Sequence, residues 1–450
     1  MEHSSDEGKV VQGERKVSNF LYRLYLLYLA SYLLHLTARA AILAVIRFDL
    51  VLFAIITILL VLEGDKLKGR LRDECTTVLG ILFLYVVISL PFVEWPGSVL
   101  RNNLSIFIKS IAFFFFTILI VDNERRLKGF VNVFIFCELF RVLEPLYLHL
   151  MYGYWGSNTY IGAGEFVDRL SGAPSDIINP NGLAFVIATV YPFIHYLWNG
   201  NKLLGRIGYV AVASMILYAM VLTMSRSGLV ALAVIYWNIW LRSRHKLLMV
   251  AVAALATSLL WANMTDYQKD RYLSLTGSKE ARSSATFYGR LGEYDTGFVT
   301  ITKKPLVGHG LGTSLEAYFN VQNNPHISHV LYLEIWIELG IIGLAIYLMF
   351  IQRIYKMLNK VKKVLSQLHD LYSSLNLKDH QQDLIFYKNL LNILNSCFWM
   401  FILFSFAQYG LSEIFWYLIA GLSVVLYRIV NTARHDAEKR LRVPIAVGRR

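Results

Sequence analysis

Two histidines, His326 and His329, sit in a polar turn ("NPHISH") directly before a strongly apolar run, and arginines recur in other polar breaks, at Arg169, Arg226, Arg271, Arg282 and Arg290. Imidazole titrates near neutral pH and can take or give a proton. Guanidinium groups grip phosphate through two parallel hydrogen bonds. Together the two residue types suit acid/base chemistry on an anionic substrate. A buried histidine that merely closes a hydrogen bond is the other reading the residues leave open, and the surrounding elements have to decide between them.

Those elements are apolar. The chain has 450 residues, 56% hydrophobic and 14% aromatic, more than a soluble globular protein of this size carries. A helix that crosses about 30 Å of hydrocarbon needs about 20 mainly apolar residues. Runs at about 20–36, 44–62, 76–94, 104–121, 129–149, 182–198, 206–223, 227–241, 246–262, 329–351, 392–409 and 413–430 meet that need or come near it. The expectation is an all-α integral membrane protein of about twelve transmembrane helices. A cytoplasmic tail spans 1–19, spans one to nine 20–262, a large outer loop 263–328, span ten 329–351, an inner amphipathic insert 352–391, spans eleven and twelve 392–430, and a basic tail 431–450. Net charge is +13, but the basic residues form short clusters between apolar runs and no continuous stripe, so nucleic acid is excluded as a partner. Cys75, Cys137 and Cys397 lack metal-ligand spacing, and no cofactor or metal is suggested.

Most of the 44 Lys and Arg residues fall in alternate loops, which by the positive-inside rule puts both termini in the cytoplasm. The segment 150–181, the tip of 206–241 and the loop 263–328 then lie outside. Arg206 to Leu241 would measure about 54 Å as one helix, too long for one span, so it must fold back near "TMSRSGL" with Arg226 at the tip. An arginine at membrane depth is costly without a partner. In "DRLSGAPSDIINPNGLA", Asn179-Pro180-Asn181-Gly182 signals a turn, with Asn181 expected to cap a helix beginning near Leu183. Leu291, Tyr294, Phe298 and Ile301 recur at helical spacing, predicting an amphipathic helix along the bilayer that ends at Lys303-Lys304-Pro305. "GHGLG", Gly308 to Gly312, lacks the full nucleotide fingerprint and reads as backbone brought close to a ligand or a helix. His329, Tyr332, Trp336, Gly340 and Gly343 share one helix face, whose small residues admit a neighbouring helix. Glu334 and Glu338 on the same helix must be neutral or paired. The insert 352–391 has helical apolar spacing suited to one or two amphipathic helices on the membrane surface or against a partner protein, or to a solvated connector helix pair.

The ordered set "DRLSGAPSDIINPN", "TMSRSGL", "GRLGEYDTGFVTITKKPLVGHGLG" and "SHVLYLEIWIELGIIGL" resembles the bacterial O-antigen ligase and O-antigen polymerase superfamily. The resemblance implies a metal-independent, inverting glycosyltransferase of GT-C type in the bacterial inner membrane. It would take a glycan from undecaprenyl diphosphate at the periplasmic face and pass it to lipid A-core or another glycan acceptor. By analogy His329 is the catalytic base or orients the acceptor hydroxyl, with His326 as an alternative base. Arg226 and Arg290 bind the diphosphate, with Arg169, Arg271 or Arg282 as helpers. The chain departs from the family in having Val330, where Asn usually follows the histidine.

Ligase and repeat-unit polymerase share these motifs, and the reading leans to the ligase. A transporter or flippase is the competitor from another class. It would place its site near the midplane, and Arg23, Glu138 and Arg141 inside apolar runs keep it open.

Overall fold

The computed structural model describes residues 17–162, 165–198, 203–264, 269, 284–323, 330–377, 380–406 and 410–442. Each of the twelve apolar runs lies largely on a helix: α1 (Asn19–Leu33), α2 (Phe48–Leu62), α3 (Glu74–Ser89), α4 (Leu104–Ile120), α5 (Glu124–Tyr152), α6 (Pro180–Trp198), α7 (Leu203–Thr223), α8 (Arg226–Arg242), α9 (Lys246–Asn263), α12 (Leu331–Ser374), α13 (Gln381–Phe404) and α14 (Ile414–Arg442). The long segment between α9 and the next apolar helix adds α10 (Ser284–Lys303) and α11 (Ser314–Gln322). Side-chain oxygens start several of these where the first N–H groups lack partners: Asp73 accepts from Thr76 N at 2.9 Å and Asn123 from Arg126 N at 3.0 Å.

Among the described residues, five helices are long and apolar enough to cross a membrane: Glu74–Phe92, Pro96–Ile120, Leu203–Thr223, Leu331–Ser374 and Ile414–Leu441. Large apolar side chains such as Val61, Leu204 and Leu247 are exposed on the outer helix faces. In water such a surface would invite association, whereas lipid is its natural solvent. The chain is a predominantly helical membrane protein.

The helices are not all of the fold. Residues 156–170, expected as loop, form an antiparallel hairpin of β1 (Gly156–Gly162) and β2 (Glu165–Leu170), with Ser157 opposite Arg169. The alternation in "EFVDRL" runs over six residues only, too short a pattern to stand out between two apolar runs. β2 packs against α5, α6 and α7.

Two groups of helices make the core. α12 and α14 pack on each other, with α4 against α14 and α3 against α12; α6 is surrounded by α5, α7, α8 and α13. The insert is no separate body: α12 runs on to Ser374, and Ile354, Met357, Leu358, Val361 and Leu368 on its apolar face are buried. α13 and the far part of α14 lie alongside, where Arg434 donates to Gln367 Oε1 at 2.8 Å. None of the three readings of this face has it buried within the bundle; the chain's own helices cover it.

Charged cross-links mark the two ends of the bundle. At one end Arg70 and Arg126 meet Asp122 at 3.2 and 3.1 Å, Arg428 meets Asp73 at 3.2 Å, and Arg353 and Lys360 both meet Glu74 at 2.7 Å. At the other, Arg39 meets Glu144 at 2.5 Å and His309 meets Glu94 at 2.7 Å. Three of these bonds, Arg70–Asp122, Arg353–Glu74 and Lys360–Glu74, join two segments that the alternation of basic loops assigns to the same side.

α12 carries one break. Gly340 adopts φ 67° and ψ −174°, a region that is essentially reserved for glycine. Pro305 O accepts from Ile341 N at 2.9 Å across the break, and a Cβ on Gly340 would overlap the Leu306 carbonyl. The glycine thus admits the 305–308 loop; only Gly343, facing Tyr85 of α3, serves a helix approach as its spacing suggests. Gly340→Ala should cost about 2 kcal/mol or more, read as a lower thermal midpoint of the detergent-solubilised protein. An unchanged midpoint would mean that the break is dispensable.

Candidate functional site

The sequence separates Arg169, Asn181 and Arg226, and the fold assembles their neighbourhood. α7 ends at Thr223, Met224 takes φ 48°, and Ser225 starts α8 by accepting from Gly228 N at 3.2 Å. The fold-back expected at this stretch is therefore present. α7 and α8 both pack on α6, and Gly228 lies so close to Ala184 of α6 that a Cβ there would overlap it. Arg226, the first residue of α8, is only 8% exposed.

Arg169 reaches this turn from β2. Its Nε donates to Thr223 O at 2.8 Å, a carbonyl at the helix end where intrahelical partners run out, and its Nη2 donates to Asn181 Oδ1 at 3.0 Å. The same Asn181 oxygen accepts from Ser225 Oγ at 2.9 Å. A buried guanidinium therefore ties the hairpin, the start of α6 and the Arg226 turn into one unit.

The helix cap differs from the sequence expectation. α6 begins at Pro180, and Asn179 Oδ1 accepts from Gly182 N at 2.8 Å. Proline fits the first helical position because its missing N–H would be unpaired there anyway. That shifts the cap to Asn179 and releases Asn181 for Arg169 and Ser225.

His326, His329, Arg271 and Arg282 lie outside the described residues, as does the side chain of Arg290 on α10. Their frame is described. Val330 is buried with Ile301 of α10 and Leu333 and Ile337 of α12, and Leu331 N donates to Ser405 O at 2.8 Å. A Cβ on Gly297 would meet the Leu333 side chain at 2.5 Å, so α10 docks on the start of α12 through this face instead of only lying along the bilayer. Val330 fills that apolar seat, which an asparagine would suit poorly.

The two membrane carboxylates have partners. Glu334 Oε2 accepts from Gly410 N at 2.6 Å, and Glu338 Oε2 from Gly312 N at 2.7 Å. The "GHGLG" loop accordingly brings its backbone to a helix: His309 N and Gly310 N donate to Ile337 O and Glu338 O at 2.9 and 2.8 Å. His309 itself is fully buried, held by Glu94 at 2.7 Å and Thr300 O at 3.1 Å, with Trp95 stacked on its ring.

A second ionic group was not assigned from sequence. His35 Nδ1 donates to Asp176 Oδ1 at 2.8 Å, Arg141 Nε to Asp176 Oδ2 at 2.9 Å, and Arg141 also meets Glu138 at 3.5 Å. Burial alone would raise the Asp176 pKa, but the bonds from His35 and Arg141 outweigh it and hold the carboxyl below its ordinary value. The group borders a cavity of ≈ 300 Å³ lined by His35, Arg141, Asn179, Asn181, Phe185 and Glu413, among others. Glu138 and Arg141, three apart in an apolar run, were the only trace of it in the sequence; their partners Asp176 and His35 come from distant segments.

Residues 210–348 match the family model described as O-Antigen ligase. That stretch takes in Arg226, Arg290 and His329 and leaves out Arg169 and Asn181. The match supports the resemblance to the O-antigen ligase and polymerase superfamily over that stretch, about a third of the chain. No curated protein matches the chain.

Because the folded pKa of Asp176 is depressed, its contribution to stability is complete above the unfolded value near 3.8 and is lost as pH falls through the lower folded value. Asp176→Asn should cost about 3 kcal/mol at neutral pH, since it leaves Arg141 and His35 facing a neutral amide. Thermal midpoints measured from about pH 8 to pH 3 should show a gap from wild type that is constant down to about pH 5 and narrows below about pH 4. A gap that does not change with pH would mean that the carboxylate charge is not what stabilises.

Proposed function

We propose that the protein is a metal-independent, inverting glycosyltransferase of the O-antigen ligase type, working at the periplasmic face of the bacterial inner membrane. It moves a glycan from undecaprenyl diphosphate to an acceptor hydroxyl, with lipid A-core as the acceptor. The observation that carries this reading is the family match over residues 210–348, joined to a fold in which the Arg226 turn is held by a buried bracket of Arg169, Asn181 and Ser225.

In this reading His329 takes the proton of the acceptor hydroxyl. The acceptor oxygen bonds to the anomeric carbon from the face opposite the diphosphate, the carbon–oxygen bond to phosphate breaks, and the electron pair leaves with undecaprenyl diphosphate. Arg226 and Arg290 neutralise the charge that develops there, the kind of preorganised stabilisation that contributes most in a water-poor site. Arg282 and Arg271 are candidate helpers. Arg169, with two of its donors on Thr223 and Asn181, acts by positioning the Arg226 turn. His326 is the alternative base.

Both termini are cytoplasmic in this scheme, and the twelve helices supply the spans of a GT-C-type membrane body. The bonds Arg70–Asp122, Arg353–Glu74 and Lys360–Glu74 support that parity, since each pairs two segments assigned to one side.

The test is glycan transfer by the purified full chain, given one undecaprenyl diphosphate-linked repeat unit with and without lipid A-core. Product only on lipid A-core supports the ligase, and elongated glycan without it means a repeat-unit polymerase. His329→Ala should lower the rate at least about 100-fold, and Arg226→Lys, which keeps charge but loses the bidentate fork, roughly 10-fold or more. Transfer by His329→Ala at the wild-type rate would remove the histidine from the mechanism. No transfer under any condition would favour a transport role.

A further inference from the structure

The cavity beside Asp176 has a chemistry distinct from that of the arginine-bearing turn. Asp176 is acceptor-only, because its carboxyl is held ionised, so the hydrogen bond at 2.8 Å requires the proton to be on His35 Nδ1. In the neutral ring the lone pair then lies on Nε2. No described residue hydrogen-bonds this nitrogen, and His35 lines the cavity.

The histidine is also held under backbone constraint, at φ 49° and ψ 48°, an arrangement uncommon for a residue other than glycine. A left-handed residue of this kind persists only where its surroundings fix it, and such residues cluster at functional sites. Here the bond to Asp176, itself gripped by Arg141, fixes the ring with Nε2 unused.

The other walls match. Glu413 is exposed on the rim, near enough to His35 and Arg141 to interact with both. Asn179 and Asn181 supply amides, and Phe185 and Phe415, packed at 4.9 Å between centroids, give an apolar floor. The single arginine of the wall is already balanced by Asp176 and Glu138. Such a cavity has no surplus positive charge with which to hold a diphosphate. Hydrogen-bond acceptors and amides beside an aromatic floor are what a polyhydroxylated ring needs, with hydroxyl donors around its edge and an apolar C–H face. At ≈ 300 Å³ it is at the small end of ligand pockets and holds about one sugar ring.

We propose that this cavity is a sugar-binding subsite, in which His35 Nε2 and the Glu413 carboxylate accept hydrogen bonds from the hydroxyls of one glycan ring and Asp176 positions the histidine. The proposal rests on the glycosyltransferase reading for the class of its ligand. It deepens that reading by separating the site into two parts joined through Asn181, whose oxygen holds Arg169 and Ser225 while the residue borders the cavity. The diphosphate belongs with the arginines, and a ring of the donor or acceptor glycan belongs beside His35.

His35→Asn is the informative variant. Asparagine tolerates the left-handed backbone and can still donate to Asp176, but nothing replaces Nε2. Glu413→Gln, on the exposed rim, is the second variant and guards against misfolding of the first. Saturation-transfer NMR on the detergent-solubilised full chain would use free glucose, galactose, mannose and N-acetylglucosamine as probes. At least one should bind wild type and His329→Ala alike, and bind His35→Asn and Glu413→Gln about three- to tenfold more weakly, at unchanged thermal midpoints. Under transfer conditions the same two variants should raise KM for glycan and keep kcat. Absence of binding by all four sugars to wild type, or equal binding by folded variants, overturns the subsite. A collapse of kcat at unchanged KM in His35→Asn overturns it too, because the residue would then be moving a proton. Sugar binding that depends on His35 in a protein that transfers nothing would keep the subsite and sink the glycosyltransferase reading instead.

Discussion

A charge removed from water must be met by another charge or by aligned dipoles, or it will not stay buried. At one end of this bundle that constraint is what joins the pieces. Arg169 could not be buried on β2 without the Thr223 carbonyl and the Asn181 amide. Asp176 could not be buried without His35 and Arg141. Glu334 and Glu338 could not lie on an apolar helix without the N–H groups of Gly410 and Gly312. Each of these partners comes from a different stretch of chain, so satisfying the charges is the same act as assembling the surface. Apolar packing cannot do this alone, because helices in lipid gain little from hiding one apolar face against another.

The same requirement explains why the loops are ordered where they are. The 305–312 segment grips α12 on both sides of its break: Pro305 O accepts from Ile341 N, while Gly310 N reaches Glu338 O and Gly312 N reaches its carboxylate. Gly340 is the one position where the chain can open to admit a strand of backbone. α10, held by the same segment, is thereby set against the start of α12 through Gly297, Ile301 and Val330. In sequence, the helix that bears Arg290 and the residue that follows His329 lie about forty positions apart. In the fold they share one small apolar cluster.

What could be read from sequence follows from which signals are local. Apolar runs declare helices because lipid asks only for length and hydropathy, and each run lies largely on one. The fold-back at "TMSRSGL" was legible from length alone. The β1–β2 hairpin was not, since six alternating residues carry little pattern against long apolar neighbours. The cap at Asn179 was missed by two residues because Asn181 is an equally good capping residue, and only its engagement with Arg169 and Ser225 reveals which one is free to cap. The His35–Asp176–Arg141 group was invisible for a more basic reason. His35 and Asp176 are 141 residues apart, and although Asp176 stands in "DRLSGAPSDIINPN", His35 stands in no motif; no one-dimensional spacing can announce a pair that only the packing of α1 near the end of α5 creates.

Asn181 is the residue through which these separate regions communicate. Its side-chain oxygen accepts from both Arg169 and Ser225, so it holds the turn that begins α8 with Arg226. It also borders the cavity that His35 and Glu413 line. An amide is well chosen for that place: its oxygen can serve two donors and its NH₂ can still serve a third group, whereas a carboxylate would add a charge beside Glu413 and a leucine would leave Arg169 short of a partner. In the proposed scheme, a substrate with phosphate at one end and hydroxyls at the other would meet two environments separated by this side chain. Motion of the Arg226 turn would therefore pull on Asn181 and so on one wall of the cavity.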